Sequence, residues 1–79
     1  MAFSKDVLFI KKVGHQIKTF RKSQDMTQFD LAIKSGMEEN ALQRIEVGRT
    51  NPTIKTLLKI TCALEIEMFE LFMFSDEKK

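Results

Sequence analysis

Residues 27–48 read TQFDLAIKSGMEENALQRIEVG, and they contain the start and stop signals of two short helices. Thr27 is a good N-cap for a helix from Gln28 to Lys34. Gly36 follows where a left-handed C-cap is needed. The apolar spacing predicts another helix from about Glu38 to Val47, ended by a glycine. This stretch therefore predicts two short helices joined by a glycine-containing turn.

The flanking sequence predicts three further helices. Apolar residues recurring at three and four predict a first helix of about four turns, ended by Gln24-Asp25-Met26. Thr53 caps a fourth helix, and a short fifth helix runs from about Met68 to Phe72. The apolar positions of the first four helices are Val7, Ile10, Val13, Ile17 and Phe20, then Leu31 and Ala32, then Leu42 and Ile45, then Ile54, Leu57, Leu58, Ile60 and Leu64. We expect an all-α, compact five-helix domain in which helices two and three have helix-turn-helix geometry, and in which all five positions of the fourth helix are buried.

Length and charge indicate one small domain with an anionic partner. The 79 residues contain no linker or repeat, so we expect a single domain over 1–79. The net charge is +2, but residues 1–59 carry eleven basic and six acidic side chains, whereas residues 60–79 carry two and five. This asymmetry favours an anionic partner on one side only. Without a membrane-length apolar run or a secretory signal at the N-terminus, we expect a cytoplasmic protein with no membrane partner.

The titratable and nucleophilic residues do not form a catalytic pattern. His15 is the only histidine, and it lies on the first helix with no cysteine, serine or acid at a motif spacing. Cys62 is the only cysteine and falls in an apolar helix, so we expect an inert, buried thiol. Glycine-rich phosphate loops and metal-ligand spacings are absent from the sequence. The sequence therefore predicts neither an enzyme nor a protein with a cofactor, metal or small-molecule substrate.

A series of short motifs occurs in a fixed order along the chain. They are Ile17-Lys-Thr-Phe-Arg21, Met26-Thr-Gln28, Leu31-Ala32, Ser35-Gly36, Ile45-Glu46, Gly48, Asn51-Pro52-Thr53 and Leu57-Leu58-Lys59-Ile60. In order and spacing they closely resemble the lambda-repressor-like, Cro/cI-type (XRE) helix-turn-helix family. The resemblance covers about residues 13–72, with the helix-turn-helix itself at about 27–47.

The resemblance implies a DNA-binding transcriptional regulator that acts as a homodimer. Each protomer would place its third helix in the major groove of one half of a palindromic operator of double-stranded DNA. Small standalone members of this family include restriction–modification controller proteins, phage repressors and chromosomal regulators. The sequence does not choose among these, nor between repression and activation.

The third helix supplies the candidate base contacts. Because Leu42 and Ile45 point inward, the outer face is left with Glu39, Asn40, Gln43 and Arg44. Arginine pairs with guanine, asparagine and glutamine pair with adenine, and a carboxylate accepts from the cytosine amino group. Glu38 and Glu39 also open the helix, where its dipole favours acidic side chains by about 0.3–1 kcal/mol.

Candidate phosphate contacts flank the third helix. Gln28 opens the second helix, where its side chain and the free backbone N–H groups can face a phosphate. The polar loop Arg49-Thr50-Asn51 follows the third helix, and Lys34 is a weaker candidate. The resemblance also implies a buried ion pair between Arg21 and Glu46, in which the arginine still reaches a phosphate.

The C-terminal stretch MFELFMF, residues 68–74, carries more large apolar residues than one short helix can bury. We expect Phe72 to enter the core, and Phe69, Phe72, Met73 and Phe74 to contribute to a homodimer interface. The same apolar stretch also fits a different class of protein, an antitoxin-type module that binds another protein. The role of residues 1–10 stays open, since they either lengthen the first helix or pack on a neighbour.

Three positions depart from the family pattern. Phe29 stands where relatives usually carry a polar side chain, and Glu67 stands where a better cap such as serine is usual. Glu65 replaces a common glycine at the end of the fourth helix, so we expect that turn to be built differently.

Overall fold

A computed structural model of the chain describes residues 2–74. Four α-helices and a C-terminal 3₁₀ helix follow one another along it. They are α1 (Ala2–Ser23), α2 (Gln28–Ser35), α3 (Glu39–Glu46), α4 (Ile54–Leu64) and the 3₁₀ helix (Met68–Phe72). Residues 2–74 contain no strand, so the predicted all-α class is confirmed, with the fifth helix being 3₁₀ rather than α.

The ends of α2 follow the predicted caps. The side chain of Thr27 accepts a hydrogen bond from the Asp30 backbone N–H at 3.0 Å, and the Asp30 carboxylate accepts from the Thr27 N–H at 2.9 Å. Gly36 has φ +68°, the left-handed conformation that ends α2. The two helices of the helix-turn-helix are thus separated by a turn that the local sequence specifies.

Ten apolar side chains form the core, which lies where α1, α2, α3, α4 and the 3₁₀ helix meet. They are Val13, Ile17, Leu31, Ala32, Leu42, Ile45, Leu57, Ile60, Leu64 and Leu71. Ile54 and Leu58 are 66% and 52% exposed, so their predicted burial is wrong. The reason is the rotation of α4, which turns Leu57, Ile60, Thr61 and Leu64 inward and leaves Ile54 and Leu58 on an adjoining face.

Close contact between α1 and α3 depends on Gly14. A Cβ atom on this residue would lie 2.8 Å from the Glu46 carbonyl oxygen and closer still to that of Ile45. The backbone at the end of α3 therefore rests directly on α1. The sequence interpretation did not single out Gly14, although a glycine inside an amphipathic helix is a signal of close approach.

The end of α4 keeps the backbone conformation that glycine would give. Glu65 has φ +59° and ψ +42°, so the expectation of a differently built turn is wrong. The Gln24 side-chain amide donates to the Leu64 carbonyl at 2.8 Å, which satisfies one of the terminal carbonyl groups of α4. Glu65 is therefore a non-glycine residue held in the left-handed region by its surroundings.

The C-terminal 3₁₀ helix is fixed to α1. The Gln16 side-chain amide donates to the carbonyls of Glu70 and Met73, both at 3.1 Å. Phe9 stacks on Phe72 with ring centroids 5.7 Å apart and meets Phe74 edge-on at 5.2 Å. Both Gln16 and Phe9 belong to α1, so this helix positions residues 70–74 as well as α3.

Candidate nucleic-acid interface

The outer face of α3 carries four exposed polar side chains. Leu42, Ile45 and Glu46 are buried, and this fixes the rotation of the helix about its axis. The four exposed side chains are those of Glu39, Asn40, Gln43 and Arg44, which are the predicted base contacts. Among the described residues, none of the four has a side-chain hydrogen bond or ion pair. The donors and acceptors of this face are thus available to a partner.

Beneath this face lies a buried ion pair between α1 and α3. Arg21 is 6% exposed, and its Nε and Nη2 groups donate to the Glu46 carboxylate at 2.8 and 3.0 Å. Its Nη1 group donates to the Met26 carbonyl at 2.8 Å. This bidentate geometry is the strong form of an arginine–carboxylate contact. The pair joins α1, the residues before α2, and the end of α3 into one unit.

Gln28 joins the same network from the start of α2. Its side-chain amide donates to Oε1 of Glu46 at 3.0 Å. The carboxylate of Glu46 therefore accepts three hydrogen bonds from two residues, which compensates for the burial of its charge. Gln28 is half-buried, so its position at the helix start is fixed relative to α3.

This network gives Arg21 a supporting position. Three of its N–H groups are used inside the domain, and the guanidinium lies below the surface formed by α2 and α3. Its predicted contact with a phosphate stays a prediction. The other predicted phosphate contacts are nearer the surface: Lys34, Arg49 and Asn51 are exposed, and Thr50 is half-buried.

The start of α2 is further stabilised by Asp30. The pKa of the Asp30 carboxyl is held below its ordinary value. The main cause is the hydrogen bond from the Thr27 backbone N–H, and the second is the interaction with the Thr27 hydroxyl. A carboxyl whose folded pKa is lowered contributes stability above its unfolded pKa and loses it as the pH falls through the folded pKa. The cap at the start of α2 is therefore complete at neutral pH.

The loop after α3 begins with a second glycine in the left-handed region. Gly48 has φ +81°, and the Arg49 backbone N–H donates to the Arg44 carbonyl at 2.9 Å. This contact ends α3 and starts the loop of Arg49, Thr50 and Asn51 at the edge of the exposed α3 face. Gln28, at the start of α2, comes before α3 in the chain, and this loop comes after α3.

The C-terminal cluster differs from prediction in one respect. Leu71 is the fully buried core residue, whereas Phe72 is 37% exposed, so the expectation that Phe72 enters the core is wrong. The cause is the 3₁₀ period of three residues per turn, which aligns Met68 and Leu71 on the inner face and turns Phe69 and Phe72 outward. Phe69 and Met73 are 62% and 63% exposed. Phe74 is half-buried and packs against the core.

The remaining reactive side chains lie at the surface. Cys62 is exposed, which corrects its predicted burial, because it lies one residue and about 100° beyond the inward-facing Thr61. His15 is exposed on α1. Over residues 2–74, side chains of His, Cys, Asp and Glu form no group able to hold a metal ion. No helix in that range is long and apolar enough to cross a membrane.

Comparison with known proteins gives one family. The helix-turn-helix family model HTH_3 matches residues 17–71. SlrR, an HTH-type transcriptional regulator of Bacillus subtilis, is 38% identical over 61 residues, which are 76% of this chain and 40% of that protein. The uncharacterized HTH-type regulator y4dJ of Sinorhizobium fredii is 34% identical over 67 residues, covering 85% of this chain and 87% of that protein.

A solved structure shows the same fold. The restriction-modification controller protein C.AhdI of Aeromonas hydrophila superimposes with a TM-score of 0.78 at 32% identity, covering 80% of this chain and 96% of that one. The chain thus spans less than half of SlrR but most of y4dJ and of C.AhdI.

Proposed function

Since this chain belongs to the HTH_3 (XRE-type) family of helix-turn-helix transcriptional regulators, we propose that it binds a palindromic DNA operator as a homodimer, with α3 of each protomer in the major groove. The relatives that share its fold are regulators and not enzymes. The observation that carries the proposal is the exposed, unengaged polar face of α3 above a buried network that fixes its orientation. The site of action would be the cytoplasm, where the operator lies.

The roles on α3 follow from the chemistry of its side chains. Arg44 would donate to guanine, Asn40 and Gln43 would pair with adenine, and Glu39 would accept from a cytosine amino group. Glu39 would also repel the backbone of DNA that offers no such donor, which raises selectivity rather than affinity. Each correct bidentate pair contributes about 1–3 kcal/mol of discrimination.

Phosphate contacts would come from both sides of α3. The amide of Gln28 and the first backbone N–H groups of α2 serve one strand, and the loop of Arg49, Thr50 and Asn51 serves the other. Arg21 and Lys34 are further phosphate contacts in this proposal. Such contacts set the register of the domain on the duplex, while the α3 side chains read the bases.

The proposed homodimer uses the C-terminal cluster of Phe69, Phe72, Met73 and Phe74. A stable interface buries roughly 800 Å² per partner, and one aromatic side chain supplies about 150–250 Å² when fully buried. Four partly exposed side chains are too few, so we include Ile54 and Leu58, which lie four residues apart on one face of α4. A depression of about 180 Å³ that is lined in part by Phe9, Ile54 and Phe72 gives room for a partner side chain.

The experiment that tests this function is selection of bound sequences from random DNA, repeated at several salt concentrations. We expect a palindromic consensus and a binding constant that falls steeply with salt. Arg44→Ala should relax the consensus at one base pair of each half and cost about 1–3 kcal/mol. Arg49→Ala is the matched control, and it should weaken binding to all sequences about equally.

Two results would contradict the proposal. Selection without any consensus, or no binding at low salt, would favour the antitoxin-type interaction module, which would use the exposed C-terminal cluster for another protein. A consensus that is not palindromic would contradict only the homodimer, and not the sequence-specific binding of DNA. Whether the protein represses or activates depends on the position of the operator relative to a promoter.

A further inference from the structure

Lys11 lies against the loop that follows α3. Gly48 packs directly on it: a Cβ atom on Gly48 would be 2.5 Å from Lys11 Cγ and 3.0 Å from Lys11 Cα. The residue after Gly48 is Arg49, the first residue of the proposed phosphate-binding loop. Lys11 itself belongs to α1 and lies outside residues 17–71, the part of the chain matched by the family model.

The course of α1 connects the two sides of the proposed interface. Lys11 adjoins the loop after α3, and Arg21, ten residues later, contacts Met26 and Glu46 beside the start of α2. Ten residues of α-helix span about 15 Å, close to the roughly 12 Å width of the major groove. The helix thus brings one basic residue to each of the two places where phosphates are expected.

Lys11 packs on Gly48, the residue before Arg49, so basic residues of two different elements adjoin the loop that follows α3. Both side chains are exposed, and in the described part of the chain neither forms an ion pair. The nearest carboxylate in sequence to Gly48 is that of Glu46, which is buried and occupied by Arg21 and Gln28. A basic residue of α1 beside the basic residue that opens this loop favours an anionic partner here.

We infer that Lys11 contacts a DNA backbone phosphate together with the Arg49 loop, as an addition to the interface of the family-matched segment. The inference rests on the proposed function, because it assumes that α3 enters the major groove. The three heavy atoms nearest to a Cβ on Gly48 would all belong to Lys11, which distinguishes Lys11 from the other exposed lysines of α1.

The test is the salt dependence of binding by Lys11→Met, measured on the selected operator and on a scrambled duplex. Methionine keeps the apolar stem that packs on Gly48 and removes only the charge. We expect the slope of log K against log salt to become shallower by about 0.9 per protomer, with an equal loss of affinity on both duplexes. The melting temperature should be unchanged.

Lys59→Met is the matched control. Lys59 is also an exposed lysine, but it lies on α4, which packs on α1, α2 and the 3₁₀ helix and contributes no residue to the proposed DNA interface. Its slope should equal that of the wild type. If the wild type and Arg49→Ala behave as proposed but Lys11→Met keeps the full slope, the inference alone is wrong. A base-specific loss in Lys11→Met would also overturn it. If the wild type selects no DNA sequence, the proposed function and the inference fail together.

Discussion

At the scale of single residues, the carboxylate of Glu46 has the largest number of consequences. It accepts from two groups of Arg21 and from Gln28, so one buried charge holds residues of three helices. Replacing a buried pair by apolar residues is often neutral, whereas removing one partner leaves an uncompensated charge. The pair is therefore better understood as a device for orienting α3 than as a source of stability.

Arg21→Ala should destabilise the domain by about 3–5 kcal/mol, because Glu46 would stay buried without its partner. Urea denaturation measures this loss, and DNA binding should weaken with it. The double variant Arg21→Met, Glu46→Leu is the control, since it removes both charges and should recover most of the stability. Wild-type melting and wild-type affinity in Arg21→Ala would show that the pair has neither role.

Glu65→Gly should stabilise the domain by about 0.5–1 kcal/mol. A non-glycine residue in the left-handed region costs roughly 1–2 kcal/mol, part of which is offset by the greater freedom of glycine in the unfolded chain. The matched control is Asp25→Gly, because Asp25 and Glu65 both have φ +59°. Aspartate tolerates the left-handed region better than glutamate, so Asp25→Gly should raise the stability by less. Equal changes in the two variants, by thermal denaturation, would contradict the explanation.

At this scale the sequence predicts residues correctly in two cases. In the first, the conformation of a residue depends on the neighbouring backbone; in the second, its role is implied by the family resemblance. Thr27 and Gly36 are of the first kind, since their conformations depend on neighbours within a few residues. Cys62 and Phe72 were misplaced because their exposure depends on the rotation or type of a whole helix. An apolar residue near the border of the inward face gives no local sign of which side it takes.

At the scale of elements, α1 meets the end of α3 at Gly14 through close contact of the two backbones. A glycine within a helix normally lowers stability by about 1 kcal/mol relative to alanine. Gly14 should instead stabilise the domain relative to alanine, because its missing Cβ lets the end of α3 approach α1. Periodicity alone predicts the helices correctly but contains no information on how closely two of them pack.

Gly14→Ala should therefore destabilise the domain, by about 1–3 kcal/mol or more, because the added methyl group meets backbone atoms that cannot move independently. The same variant should lower selectivity for the operator, since α3 is displaced. Lys18→Ala, at an exposed position of the same helix, is the control and should change the free energy of unfolding very little. A more stable Gly14→Ala domain would mean that the two helices separate without cost.

At the scale of the whole molecule, exposed apolar residues occur on several elements. Phe29 and Ile33 lie on α2, and a larger set lies on α4 and on residues 69–73, at Ile54, Leu58, Phe69, Phe72 and Met73. The others are Val7, Leu8 and Phe9 on α1, and Val47. The sequence indicated an excess of apolar residues at the C-terminus, but it could not indicate Ile54 and Leu58, whose exposure follows from the packing of α4. The surface proposed for dimerisation is thus the part of the molecule that the sequence predicts least completely.

Phe69→Glu should convert the proposed dimer into a monomer, because a carboxylate would be buried at the interface without a partner. Sedimentation equilibrium at micromolar concentrations measures the change. Ile33→Glu makes the same replacement at an exposed apolar residue of α2, and it should leave association unchanged. A wild-type protein that is monomeric at high micromolar concentration would contradict the dimer itself.

The attachment of the 3₁₀ helix by Gln16 has a consequence for the architecture of the operator. Gln16 and Arg21 lie on one continuous helix, so the surface proposed for dimerisation and the helix proposed to read DNA are held by the same rigid rod. The two recognition helices of a dimer would then be a fixed distance apart, and only half-sites about 34–36 Å from centre to centre would fit both. One inserted base pair turns one half-site by roughly a tenth of a helical turn relative to the other. In the proposed dimer, the length of α1 between these two residues would then set which operator spacings the protein accepts.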